Sequence, residues 1–125
     1  GYSFYTMSAA TPHVKSGKVR AIAQTRAKRA SSYPNVPTMV EAGFPNFEAT
    51  TWYGLAGPGK MPPAMVQRMN EDINKVLLMP DVMQKLAQFG AEDGGGSAQR
   101  FADFIRTEQV TWAKVVKDSN VKLDS

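Results

Sequence analysis

The period of the hydrophobic positions changes near the middle of the chain. Before the Gly57-Pro58-Gly59 break they alternate or scatter in short stretches, and after Pro62 they recur at helical spacing. Tyr2-Ser3-Phe4-Tyr5 alternates like the end of a strand, and Ser8 to Val14 predicts a short helical turn closed at Ser16-Gly17. Val19 to Gln24 predicts a strand with Val19, Ala21 and Ala23 on its apolar face. Thr25 to Pro37 is polar and broken by Pro34 and Pro37, which is loop chemistry. Thr38 to Ala42 predicts a short helix stopped by Gly43. Phe47 to Leu55, with Phe47, Thr50, Thr51, Trp52, Tyr53 and Leu55, has the β-branched and aromatic content of a third strand.

The second half predicts helices. Pro62 and Pro63 suit a first turn, and Val66, Met69, Ile73, Val76 and Leu77 follow as an apolar stripe. Pro80-Asp81 restarts a helix carrying Val82, Leu86 and Phe89, which Gly90 ends. A turn over residues 91–96 leads to Ser97, placed to cap a long helix with Phe101, Phe104, Ile105, Trp112, Val115 and Val116 on its apolar side. These stripes predict core-facing surfaces rather than a cofactor box. No cofactor is expected.

Composition narrows the chemistry. With 125 residues, the chain has room for one modest domain, and no apolar run approaches the ~18 residues a membrane-spanning helix needs. The absence of cysteine removes disulfides, thiolate nucleophiles and zinc-cysteine sites, and a single histidine, His13, removes multi-histidine metal sites. No metal site is expected. None of the serines sits in a G-x-S-x-G turn. Gly94-Gly95-Gly96 precedes a helix but lacks the Gly-Lys-Ser/Thr ending of a phosphate loop. Residues 1–40 hold six cations (Lys15, Lys18, Arg20, Arg26, Lys28 and Arg29) and no acid, against nine cations and eleven acids in the remainder. The cations flank a strand-like stretch without interleaved aromatics, so a solvated basic face is expected and nucleic acid is not an expected partner.

One dense series of segments resembles a known family. It comprises Lys18-Val19-Arg20-Ala21-Ile22-Ala23-Gln24-Thr25, Pro34-Asn35-Val36-Pro37-Thr38, Glu41-Ala42-Gly43-Phe44-Pro45 and Thr51-Trp52-Tyr53-Gly54-Leu55-Ala56-Gly57-Pro58. It continues through Asn70-Glu71-Asp72-Ile73-Asn74, Phe89-Gly90-Ala91-Glu92, Phe101-Ala102-Asp103-Phe104-Ile105-Arg106 and Trp112-Ala113-Lys114-Val115-Val116-Lys117. From about Phe4 to Leu123 the chain resembles the solute-binding receptors of tripartite tricarboxylate transporters, the Bug receptors.

That resemblance implies an α/β fold: the C-terminal portion of a two-lobed periplasmic-binding-protein (type II-like) architecture, with few strands and several helices. Residues 1–49 would be part of the second lobe, and residues 50–125 the crossing strand and closing helices of the first. It further implies a non-enzymatic receptor that captures a small organic carboxylate for the membrane permease subunits of the transporter, in the periplasm. No secretory leader is legible in the sequence, so location rests on the resemblance alone. The ligand-facing residues it implies are Tyr5, Thr6 and Ser8 after the first strand, Thr25 at the end of the second, and Trp52 and Tyr53 on the crossing strand. Where many receptors of the family carry an Asp-Asn pair, this chain has Tyr5-Thr6, which removes a negative charge. With much of one lobe missing, exposed edges and apolar helix faces lead to an expectation of self-association. The alternative reading is a truncated structural or interaction domain that oligomerises and no longer binds ligand.

Overall fold

A computed structural model describes residues 1–92 and 94–122. Asp93, within the predicted 91–96 turn, and Leu123, at the end of the resemblance, lie outside the described residues. Four helices form: α1 (Met7–Lys15), α2 (Pro63–Leu77), α3 (Pro80–Gln88) and α4 (Ala98–Asp118). The chain divides into two compact units. One comprises Gly1–Gly57 and Leu78–Gly94, and the other comprises Pro58–Leu77 and the residues from Gly95 onward.

In the first unit α1 turns Met7, Ala10, Thr11 and Val14 inward, a helical i, i+3, i+4, i+7 set that leaves the remaining positions in solvent. The three predicted strands are a correction. Among the described residues no strand forms, and pairing is limited to an isolated parallel bridge between Gln24 and Thr38. A strand exists only where a second one satisfies its backbone groups. Residues 2–5, 19–23 and 47–55 have strand composition, but no such neighbour is built beside them. The predicted helix at 38–42 shrinks to one hydrogen-bonded turn, Ala42 N–H to Thr38 O at 3.0 Å and Phe44 N–H to Met39 O at 3.0 Å, before Gly43. Its first residue carries a reciprocal cap: Glu41 Oε2 accepts from Thr38 N–H at 2.7 Å, and Thr38 Oγ1 accepts from Glu41 N–H at 3.2 Å.

α3 ends as its sequence predicts. Gly90 stands at φ 73°, Gly90 N–H donates to Ala87 O at 3.0 Å, and Ala91 N–H donates to Leu86 O at 2.9 Å. This glycine is required twice, for its left-handed backbone and because a Cβ there would meet the Met7 side chain at 2.6–3.0 Å.

In the second unit α2 and α4 pack together. The face of α2 that turns inward is Val66, Asn70, Ile73, Asn74 and Leu77. Met69 and Val76, expected in the stripe, remain 42% and 48% exposed. Two asparagines displace them because they hold the entry to α4, as shown below. α4 is capped at Ser97, whose Oγ accepts from Arg100 N–H at 3.1 Å. Replacing Ser97 with Ala is expected to lower stability by ~1 kcal/mol, read as a lower urea midpoint at unchanged slope.

Candidate functional site

Thr6 is the N-cap of α1. It is extended at φ −65°, ψ 148°, and its Oγ1 makes no capping bond to the helix. Instead Thr6 Oγ1 lies 3.3 Å from Ser8 Oγ, and both residues are exposed beside Tyr5, itself 72% exposed. The first turn of α1 carries no acid. Two hydroxyls therefore stand at the positive end of a helix dipole whose first N–H groups have no intrahelical acceptor. That arrangement is suited to an anion such as a carboxylate.

The other expected residues fall on two further segments. Thr25 is engaged internally: its Oγ1 donates to Ala49 O at 2.5 Å, and its carbonyl accepts from Ala49 N–H at 2.9 Å. It thereby fixes the segment that runs on to Trp52, 41% exposed, and Tyr53, 86% exposed. Thr6 and Ser8 are brought together, and Thr25 meets the carbonyl of Ala49 rather than either of them.

Sequence reading missed the group that shapes this unit. Gln24 donates from Nε2 to Tyr33 O at 3.1 Å and Val36 O at 2.6 Å, while its Oε1 accepts from Ala30 N–H at 2.8 Å. One side chain thus closes the 26–36 loop around buried Ala30, while the Gln24 backbone bridges to buried Thr38. Tyr33 Oη donates to Thr11 Oγ1 at 2.8 Å and ties the loop to α1. Glu92, remote in sequence, accepts from Ser31 N–H at 3.0 Å and Ser31 Oγ at 2.7 Å. Its Oε2 also lies 3.1 Å from Arg26 Nη1, which is buried and out of hydrogen-bond alignment, so that contact is an ion pair without a directed bond. The Ser31 hydroxyl is the main cause that holds the Glu92 carboxyl below its ordinary value, with the Ser31 amide and Arg26 assisting against burial. The only hint in the sequence was the excess of cations before residue 40, which required acids from elsewhere.

Arg29 donates from Nε to Glu41 Oε2 at 2.9 Å and from Nη1 to Pro34 O at 2.7 Å. Two of the six cations of the basic block are therefore paired, a correction to the picture of a uniformly solvated face. The Arg29 bond, followed by the Thr38 amide, lowers the Glu41 carboxyl from 4.5 to about 2. The contribution of Glu41 to stability is complete above pH 4.5 and disappears as pH falls through about 2. The melting temperature is expected to drop across that window more steeply in the parent chain than in Glu41→Gln. Parallel pH profiles would reject this role for Glu41.

In the second unit Asn70 Nδ2 and Asn74 Nδ2 both donate to Gly96 O at 2.9 Å, and Gly96 N–H donates to Asn74 Oδ1 at 2.8 Å. Asn74 pairs with Gly96 as one peptide pairs with another, so the turn into α4 is held against α2. A groove of about 550 Å³ lies alongside, lined by Met61, Val66, Gln67, Asn70, Glu71 and Ser97 among others. Among the described residues no group of three or more His, Cys, Asp or Glu side chains gathers as a metal site would require.

Residues 2–121 match the family described as the tripartite tricarboxylate transporter family receptor. The chain belongs to that family. It is 39% identical over 100 residues to the UPF0065 protein in the tcbD-tcbE intergenic region of Pseudomonas sp. (strain P51), covering 79% of this chain and 30% of that protein. It is 33% identical over 117 residues to BugT of Bordetella pertussis, covering 94% of this chain and 36% of BugT. Among solved structures it is similar to the periplasmic binding protein BugD, with a TM-score of 0.76 and 29% identity over 90% of this chain and 38% of BugD. That likeness shows the fold: part of an α/β periplasmic-binding-protein architecture, as the resemblance implied. The chain spans about a third of the length of these relatives.

Proposed function

We propose that this receptor-family chain is the C-terminal portion of an extracytoplasmic solute-binding receptor that captures a small organic carboxylate for the permease subunits of a tripartite tricarboxylate-type transporter. The observation that carries the reading is the family match over residues 2–121, joined to the likeness to a periplasmic binding protein. In this reading residues 1–49 belong to the second lobe, and residues 50–125 supply the crossing segment and closing helices of the first. The carboxylate is held at the start of α1 by Thr6, Ser8 and the first helical N–H groups, with Tyr5, Trp52 and Tyr53 as an aromatic wall. Thr25 holds the segment bearing that wall. The chemistry is binding and release, with no bond made or broken.

A panel of mono- and dicarboxylates, with the uncharged amides of the same shapes as controls, tests this by thermal shift. A ligand that binds only the folded state stabilises it by about 2.7 kcal/mol at a hundred times its dissociation constant. At least one carboxylate is expected to raise the melting temperature while its amide does not. Thr6→Val with Ser8→Ala is expected to weaken that ligand about a hundredfold, since each of the two hydrogen bonds to a charged group contributes ~1.5 kcal/mol. Equal shifts from acids and amides reject carboxylate recognition.

The alternative, an interaction domain that oligomerises without ligand, is favoured by one specific observation. The buried residues among those described are Ala30 and Thr38, whereas Tyr2, Tyr53, Leu55 and Val110 are at least 70% exposed. No response to any carboxylate, together with a stable oligomer, would select this reading.

A further inference from the structure

The first turn of α1 is steadied from outside its own helix. Met7, its first residue, stands between Thr6 and Ser8, and the Thr6 side chain makes no capping bond. The Met7 carbonyl instead accepts from Thr11 Oγ1 at 2.7 Å, and Thr11 Oγ1 accepts from Tyr33 Oη at 2.8 Å. A threonine hydroxyl has a single proton, so accepting from Tyr33 leaves that proton for Met7, and the relay runs one way. Ser32 Oγ adds a 3.5 Å contact to Met7 Sδ. Tyr33 and Ser32 both belong to the 26–36 loop, which contains no helix or strand and is shaped by side-chain bonds. At its centre is Gln24. Both Nε2 hydrogens and Oε1 are used, on Tyr33 O, Val36 O and Ala30 N–H. Its backbone is fixed too, through Gln24 N–H to Pro37 O and Met39 N–H to Gln24 O, each at 2.9 Å.

We propose that Gln24 is a positioning residue for the carboxylate site: through Tyr33, Thr11 and the Met7 carbonyl it sets the Thr6 and Ser8 hydroxyls without touching the ligand. The role assigned to Gln24 rests on the carboxylate reading of that site. Groups held in place before a ligand arrives bind it more tightly, because ordering them at that moment is subtracted from the affinity. Gln24 is suited to the task, since one side chain supplies two donors and an acceptor. An ionised glutamate has no donor, and a methionine of similar length has none either. The next residue, Thr25, holds Ala49 and so the approach to Trp52 and Tyr53. Adjacent residues thus anchor the hydroxyl side and the aromatic side of the site separately.

The test is calorimetric titration with each acid of the carboxylate panel, acetate and succinate among them. It is run well below every variant's melting temperature, where a loss of stability alone does not move affinity. Gln24→Met is expected to weaken the acid that binds by about tenfold or more. Because that change also leaves two carbonyls and an amide unpaired, milder variants carry the decision. Thr11→Val, which keeps the shape and loses the hydroxyl, and Tyr33→Phe should each weaken binding several-fold. Thr11→Ser, which keeps the hydroxyl, should restore the parent affinity. Tyr33→Phe combined with Thr11→Val should weaken binding no further than either alone, since both break one relay. Hydrogen exchange without ligand is the second measurement. The Ala10 amide, bonded to Thr6 O at 3.0 Å, should exchange faster in Thr11→Val and Tyr33→Phe, while the Ala49 amide, bonded to Thr25 O at 2.9 Å, should not. Parent affinity in both Thr11→Val and Tyr33→Phe overturns the role of Gln24 and leaves the receptor reading intact. Equal losses in Thr11→Ser and Thr11→Val assign the effect to packing and overturn it as well. A parent chain that binds no acid of the panel rejects the receptor reading, and the positioning role with it.

Discussion

Gly90→Val is expected to be the most damaging single substitution in the first unit, lowering stability by about 3 kcal/mol. A left-handed backbone costs an ordinary residue about 1–2 kcal/mol, and Gly90 stands at φ 73°. The rest comes from crowding, because the new Cβ would lie 2.6 Å from Met7 Sδ and 3.0 Å from Met7 Cβ, and overpacking adds about 1–3 kcal/mol. The two causes separate experimentally. In a double-mutant cycle with Gly90→Ala, Met7→Ala removes the two nearest contacts, Sδ and Cγ, and leaves the contact with the residue 7 Cβ and the backbone term. A coupling energy of about 1 kcal/mol or more is expected between residues that are far apart in sequence but adjacent in space. Strict additivity would show that Met7 yields freely and that only the backbone matters.

The second large effect concerns assembly. The chain is expected to self-associate through apolar surface that its own fold leaves open. In α4, Phe101 and Ile105 are half-buried, whereas Trp112, Val115 and Val116 are 44%, 41% and 47% exposed. Trp112 Nε1 donates to Glu108 Oε2 at 2.9 Å, so its polar tip has a partner while its ring remains available. The Phe4 segment, 77% exposed, is the other open region. Burying an aliphatic side chain contributes ~1.5 kcal/mol or more, so Val115→Lys with Val116→Lys should weaken association by about a hundredfold. Sedimentation across a concentration series measures it. A strictly monomeric species with a cooperative melt rules out this assembly.

Much of the helical half was legible in the sequence because its cues are local. Pro63 and Pro80 begin their helices, Gly90 ends α3, and Ser97 caps α4. Each depends on bonds within a turn or two of the residue itself. The start of α1 at Met7 falls one residue from the Ser8 expected, whereas the strand expected before Thr6 does not form. Family membership was also legible, since order and spacing of segments survive in a linear chain.

What the sequence alone could not determine is non-local. Residues 19–23 and 47–55 have strand composition, yet strands require a partner, and no local signal says whether one is at hand. The acid that pairs with Arg26 is Glu92, and the groups that turn α2 toward α4 are two asparagines bound to Gly96 rather than the apolar Met69 and Val76. Gln24 reads as the polar end of a strand, but tertiary structure makes it the closure of the 26–36 loop. Short-range hydrogen bonds and backbone sterics set the helices and their ends. Only the folded chain could bring together residues tens of positions apart and so decide which polar groups pair.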